Sequence, residues 1–420
     1  MTGKFILIFA LAIADLQAPA ADRTNYNVRA FGAKGDGVTH DTAALQQALD
    51  ACATNGGGTV VLSEGVYLTG SLVIGPETTL QLEHNASIVG SPDVADYPLV
   101  HIRWEGEFRE GHRALLSAEK AGHVTILGPG AIFGPPINLG RLRNPRGPAL
   151  IELTECTNAV LENFATQYEQ LWSIHLLFCQ NLTARGLTIR SINANGDGLD
   201  VDSCRDVLIE HCNIDTGDDA ISLKSGRGLA AQQLGRPCEN ITIRDCLLTS
   251  SIYAALGIGT EMSGGVRNVR LENNTMSGHQ NTIFIKSRDG RGGYIENIVG
   301  ENIMANNSPT FIGIDLIKKG IQATDPVPGE VEKWARVKNI SFSHVQVNHI
   351  SELIAGKDIP VQRPLDGLTL TDITGTCVRG ISLANVTNAN FSAINVTGFT
   401  GPLINVKNVQ GMGLDAAAPK

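Results

Sequence analysis

The chain has 420 residues, 42% hydrophobic but only 5% aromatic, enough apolar material for a large core. Its 33 basic side chains against 42 acidic ones leave a formal charge of −9 without any Lys/Arg run, which excludes the basic surface that nucleic-acid or anionic-membrane binding needs. Glycine, at 46 residues, and recurrent Asn point to many tight turns rather than a helical protein.

The N-terminus reads as an export signal. Lys4 gives the positive start, residues 5–14 are apolar, and Ala18-Pro19-Ala20 is a small-x-small cleavage site. The apolar run is too short to span a bilayer, and no later run reaches ~18 apolar residues. Residues 1–20 are therefore expected to be removed, leaving 21–420 periplasmic or secreted. Next in the chain, Asp41 and Thr42 precede Ala43-Ala44-Leu45-Gln46-Gln47-Ala48-Leu49, which ends before Gly56-Gly57-Gly58. This predicts a capped amphipathic helix, placed to cover the open end of a sheet built from the later residues.

Those later residues repeat. Asp206-Val207-Leu208-Ile209-Glu210-His211-Cys212-Asn213-Ile214 has relatives starting at Asn158, Asn181, Asn240, Asn268, Asn297 and Asn339, spaced by 23, 25, 34, 28, 29 and 42 residues. Each opens with Asn or Asp, then alternates apolar and polar residues over a few positions, which is a strand period. Propeller blades would need four strands per repeat, and leucine-rich repeats a Leu-x-x-Leu-x-Leu frame that is missing. The expected fold is all-β: one right-handed parallel β-helix over 21–420, with the uneven spacings marking loops inserted on one side. Cys156, Cys179, Cys204 and Cys238 each stand two residues before the opening Asn or Asp, and Cys212 and Cys246 share a second position. Residues in register stack about 4.8 Å apart, so buried thiol ladders are favoured over a disulfide framework, with one or two bridges left open. The Asn column is expected to be a ladder of hydrogen-bonded turns.

The same register aligns a second strand. Leu199-Asp200-Val201-Asp202-Ser203 matches Ile221-Ser222-Leu223-Lys224-Ser225, then Leu256-Gly257-Ile258-Gly259-Thr260 and Ile283-Phe284-Ile285-Lys286-Ser287. Two residues before these come Asp197, Asp219, Ala254 and Asn281, and one residue earlier Gly196, Asp218, Tyr253 and Gln280. Asp197, Asp218 and Asp219 thus gather within one or two strand spacings. Three carboxyls that close cannot all ionise cheaply, so at least one pKa should rise. One protonated acid beside ionised carboxylates suits glycoside hydrolysis. The same pattern is open to two other readings, turn chemistry in Gly-Asp-Asp and a Ca²⁺ site.

The stretch 195–226, with Asn195-Gly196-Asp197-Gly198 and Gly217-Asp218-Asp219-Ala220-Ile221-Ser222-Leu223-Lys224-Ser225-Gly226, closely resembles glycoside hydrolase family 28, the polygalacturonases and rhamnogalacturonan hydrolases. The resemblance extends to Phe31-Gly32-Ala33-Lys34-Gly35-Asp36-Gly37, Arg103-Trp104-Glu105-Gly106 and Ile258-Gly259-Thr260-Glu261-Met262-Ser263-Gly264-Gly265. It implies a right-handed β-helix that hydrolyses galacturonosyl linkages of a pectic polysaccharide with inversion, as a monomer, without metal or other cofactor. It implies Asp218 as the general acid, and Asp197 and Asp219 as the pair activating water. Two departures stand out. Ile252-Tyr253-Ala254 replaces the family's Gly-His-Gly, and Phe284-Ile285-Lys286 replaces its Arg-Ile-Lys; Gly196 also stands for the common Thr. Tyr253 can still donate a hydrogen bond, but losing the Arg removes a bidentate carboxylate clamp.

Asn195, Lys224, Tyr253, Phe284, Lys286 and Arg288 are the candidate substrate-binding residues, in catalytic coils spanning about 181–290. Phe284 in place of Arg suggests a rhamnose-accepting subsite, hence rhamnogalacturonan beside plain galacturonan as substrate. Lys224 is alternatively a structural partner of Asp202, and Phe284 a core residue. Trp172, His175 and Trp104 are weaker candidates for sugar contacts, and His211 and His344 are solvent-facing repeat positions. No His/Cys group has metal-ligand spacing, and no Gly-rich phosphate loop precedes a helix. A Ca²⁺-dependent pectate lyase and a non-catalytic pectin-binding β-helix are the alternatives; the three aspartates argue against both.

Overall fold

The computed structural model describes residues 24–415, except 138, 140, 141, 143, 170, 192, 321–324, 326–328, 330 and 331. The expected export segment, residues 1–20, lies outside the described residues. One coil shows how the rest is built. Leu199–Asp202, Arg205–Glu210 and Asn213–Thr216 form three short strands separated by turns, and Ile221–Lys224 then lies parallel on Leu199–Asp202, with Leu199 opposite Ile221 and Asp202 opposite Lys224. Repetition from Asn25–Asn27 to Ile404–Met412 links 31 strands into one right-handed parallel β-helix. The expected register holds through Leu256 and Ile283, which stack in turn on Ile221.

Alternation decides what is inside. Leu199, Val201, Val207, Ile209 and Ile214 of this coil are each at most 2% exposed and stack on equivalents above and below. Fully burying each such side chain is worth ~1.5–3 kcal/mol, so the core runs the length of the solenoid. The Asn column occupies a turn that needs left-handed backbone: φ is +53 to +58° at Asn158, Asn181, Asp206, Asn240, Asn268, Asn297 and Asn339. Asn and Asp tolerate that region better than other non-Gly residues. Their amides also bond coil to coil: Asn240 donates to Asp206, Asn268 to Asn240, Asn297 to Asn268 and Asn339 to Asn297, at 2.9–3.0 Å. His211 and His344 share a second left-handed, exposed column with Asn273 and Asn302. Cys156, Cys179, Cys204, Cys212, Cys238 and Cys246 are buried thiols, with no disulfide among them.

Helix α1 (Thr42–Thr54) lies at the N-terminal end, burying Leu45, Ala48, Leu49 and Cys52. It ends before Gly56, and Asp41 does not cap it through its side chain. The Asp41 carboxylate instead accepts the N–H groups of Lys34 and Gly35, at 2.7 and 2.8 Å, so this residue fixes the turn before the helix. One pair of strands departs from the parallel pattern. Leu99–Trp104 and Glu107–His112 form an antiparallel hairpin turning at Glu105 and Gly106, both at positive φ.

Candidate active site

The site sits where the chain turns into the sheet that contains Leu199–Asp202 and Ile221–Lys224. Asp197 and Asp219 each stand two residues before their strand, and parallel pairing of those strands stacks the two turns. The carboxylate oxygens of Asp197, Asp218 and Asp219 approach within 4.8 Å of one another. Asp197 and Asp219 are 4% and 2% exposed, while Asp218 is half-buried. Close approach requires glycine beneath: a Cβ on Gly257 would come within 2.1 Å of Asp219 Oδ2. Gly196, where Thr is common in the family, is likewise enclosed, because a Cβ there would meet Ser191 Oγ at 2.1 Å and Glu169 Oε1 at 2.5 Å.

Two ammonium groups hold two of the three acids. Lys224 Nζ lies 3.1 Å from Asp197 Oδ2 and 2.5 Å from Asp200 Oδ1. Lys286 Nζ lies 2.6 Å from Asp219 Oδ2, whose other oxygen accepts the Ala254 N–H at 3.2 Å. Among the described residues, the Asp218 carboxylate accepts only the Asp219 N–H, at 2.8 Å. Burial, then the charges of Asp197 and Asp219, push the Asp218 carboxyl up to about 9, beyond what Lys286 and that N–H offset. Burial also raises Asp219, against the pull of Lys286. Three carboxyls this close raise one another, and Asp218 is the one that receives the least compensation. A hydrated cation has little claim on this cluster, since Lys224 and Lys286 already supply positive charge at two of its three carboxylates.

The substrate-binding candidates divide. Asn195, two residues before Asp197, accepts from Arg146, its Oδ1 3.5 Å from Arg146 Nη2. Lys224 is 5% exposed and turned to Asp197 and Asp200, so it braces the site and is not presented to a uronate; it does not pair with Asp202 as the alternative had it. Tyr253 is half-buried, its ring centroid 5.9 Å from Lys286 Nζ. Phe284 is buried, at 5% exposed, but stands outside the central core cluster: Ile283 and Ile285 fill the interior, and Phe284 alternates with them at the position between Gly257 and Gly313. Arg288 is further off, its Nη1 donating to the Gly320 carbonyl. Trp172 and Trp104, each 3% exposed, stack on one another and offer no open platform.

Asp200, Arg103 and Lys319 escaped the sequence reading as site residues, whereas His175 was a candidate sugar contact and Asp202 a candidate partner of Lys224. Asp200, fully buried next to Lys224, is raised well above the carboxylate range by burial and by Asp197. His175 lies between Glu152, at 3.0 Å, and Asp202, at 3.7 Å; burial opposes its charge, but those contacts raise it to about 9. Asp202 is lowered despite burial because Arg103, 3.2 Å away and brought by the hairpin, faces it. Lys319 Nζ lies 5.1 Å from the Phe284 ring centroid and Lys286 Nζ 5.5 Å from it. Neither Arg103 nor Lys319 belongs to the repeat, so strand spacing carried no signal for either.

Fold and acidic cluster together define a carbohydrate-active β-helix. Residues 110–351 match the family profile described as glycosyl hydrolases family 28, and residues 25–102 one described as rhamnogalacturonase A/epimerase, pectate lyase-like. A Vitis vinifera protein described as a probable polygalacturonase is 31% identical over 370 residues, covering 84% of this chain and 73% of its own. An exo-poly-alpha-D-galacturonosidase of Dickeya chrysanthemi is 24% identical over 91% of this chain and 73% of its own. Among solved structures, the family 28 exopolygalacturonase of Yersinia enterocolitica has a TM-score of 0.82 at 21% identity, covering 93% of this chain and 78% of that one. The exopolygalacturonase of Thermotoga maritima gives 0.73 at 24%, covering 94% and 95%. The chain belongs to glycoside hydrolase family 28 and is a glycoside hydrolase.

Proposed function

We propose that the protein hydrolyses galacturonosyl linkages in a pectic polysaccharide, with Asp218 as the general acid and Asp197 with Asp219 as the pair that activates water. The observation carrying this assignment is the Asp218 carboxyl, pushed up to about 9 beside two acids held by Lys224 and Lys286. At neutral pH Asp218 has a proton to give to the leaving glycosidic oxygen, and Asp197 and Asp219 can take one from water. The oxygens lie closer than the ~6.5–9.5 Å usual between inverting carboxyls, so inversion is inferred from family membership and the two bases are read as one unit. Asp218→Asn is expected to abolish release of reducing ends while retaining binding of pectic oligosaccharides; full activity in that variant would overturn the assignment.

Galacturonan is the preferred substrate in this reading, because Lys319, 5.1 Å from the Phe284 ring, supplies a cation for a uronate where the family Arg is missing. The apolar Phe284 ring itself favours a second reading, a rhamnose in that subsite and hence cleavage of rhamnogalacturonan. Side-by-side digestion decides: reducing ends from homogalacturonan and none from rhamnogalacturonan eliminate the second. A lyase would give an ultraviolet-absorbing unsaturated product and stop with chelator; a hydrolase braced by lysines is expected to do neither. The residue 1–20 pattern supports action outside the cytoplasm, testable by N-terminal sequencing of the mature chain; no described helix is long and apolar enough to cross a membrane.

A further inference from the structure

We propose that this hydrolase attacks its polysaccharide only from a chain end, because the groove is dammed at the first position beyond the aspartates. The inference rests on the hydrolase reading above. The column holding Asp197 and Asp219 continues in one direction to Ala254 and Asn281, which pair in register. On that side the floor is low: Ser222, Gly257, Phe284, Gly313 and Ala355 succeed one another strand by strand. It opens into a recess of ≈580 Å³ lined by Asn281, Phe284, Thr310, Lys319 and Lys357 among others. In the other direction the next position is Trp172, two residues before Ile174 just as Asp197 is two before its partner Leu199.

That position is filled. Trp104 stacks on Trp172 with ring centroids 4.2 Å apart, Arg146 lies 3.7 Å above the Trp104 ring, and Lys224 Nζ lies 3.8 Å from the Trp172 ring on the aspartate side. These four side chains are at most 5% exposed, and a cation on each outer face of the indole pair holds the stack together. The hairpin delivering Trp104 crosses the sheet. Arg103 pairs with Asp202, Phe108 stacks on Phe178, and at the tip a Cβ on Gly106 would meet Arg227 at 3.0 Å. Swinging it aside would take Arg103 from the buried Asp202 carboxylate and leave His175, 3.7 Å away, as its remaining ion-pair partner, which is unfavourable. On its far side lies a separate recess of ≈270 Å³, lined in part by Val100, Phe108, Leu177 and Phe178.

One strand spacing, ~4.8 Å, separates the Trp172 and Asp197 positions, and Lys224 Nζ already bridges them, so the walled side has room for no more than a single terminal sugar lying over Lys224 while the chain leaves over Phe284. Each turnover then adds one water across the outermost glycosidic bond and frees one monosaccharide. Wild-type enzyme on polygalacturonate and on defined linear oligogalacturonides is the test, with chain-length analysis at low conversion and viscometry. Monogalacturonate as the only small product from the first time points, with viscosity nearly unchanged, is expected. Blocking one chain end chemically should stop the reaction, and blocking the other should not. Trp104→Ala should release longer products alongside the monomer; if that variant fails to fold, the wild-type product pattern still decides. Oligomers of mixed length from the onset with a steep fall in viscosity would overturn the dam and leave the hydrolase reading intact. Complete inactivity on every pectic substrate would overturn the hydrolase reading, and this inference with it.

Discussion

Replacing Gly257 by Ala tests the geometry of the acids without touching any of them. The added Cβ would stand 2.1 Å from Asp219 Oδ2 and 2.7 Å from its Cγ. Asp219 must retreat by more than about 1 Å to reach ordinary contact, since overpacked atoms in a filled site have nowhere else to go. That motion breaks the 2.6 Å contact with Lys286 and the bond from the Ala254 N–H. Gly257 has no left-handed backbone to strain, so the effect is steric alone. A 1 Å misplacement of a reacting group costs on the order of 100-fold in rate, or about 2.7 kcal/mol of barrier. Overpacking should also remove ~1–3 kcal/mol of stability. The assays are reducing-end release at saturating substrate and denaturant unfolding. A Gly257→Ala enzyme that keeps the wild-type kcat would refute the claim that Asp219 works from this position.

Three further outcomes are expected. Asp218 gains no adequate partner for its charge, and its folded pKa is raised, so the stability it contributes is complete below the unfolded value near 4 and is lost as pH rises toward about 9. Asp218→Asn should therefore melt above wild type at pH 7, with the difference closing toward pH 4 in paired thermal scans. Lys286→Met removes the ammonium that lowers both Asp218 and Asp219, so the acidic limb of the kcat/KM profile should move to higher pH and the maximum should fall. Asn268 sits at φ +56° and bonds both Asn240 and Asn297, so Asn268→Ala should cost ~1–3 kcal/mol in urea titration, and Asn268→Gly less, because glycine keeps the backbone and loses only the bonds.

Much was legible because stacking converts sequence spacing directly into spatial neighbourhood. A strand that recurs once per coil must lie on its predecessor, so the Asn ladder, the buried thiols and the meeting of Asp197 with Asp219 come from register alone. The same logic placed Phe284 outside the central core cluster, since Ile283 and Ile285 take the inward positions. The two Asp motifs at the centre of the resemblance to family 28 lie on the same register.

Periodicity is silent about side chains that arrive from outside the repeat. Lys224 could face Asp202 or Asp197 with equal sequence logic; the outcome turned on Arg103, which a hairpin about a hundred residues upstream lays against Asp202, leaving Lys224 to Asp197 and Asp200. Trp104 and Trp172 looked like sugar platforms until their mutual stacking and the cover of Arg146 buried them. Asp41 had the right type for a helix cap, yet its carboxylate found two closer N–H donors in the preceding turn. The amino-acid order alone fixed the solenoid and the meeting of three acids, because those depend on local period. Which cation serves which acid, and where the groove ends, depend on distant loops competing for the same buried charges, and only the folded chain resolves that competition.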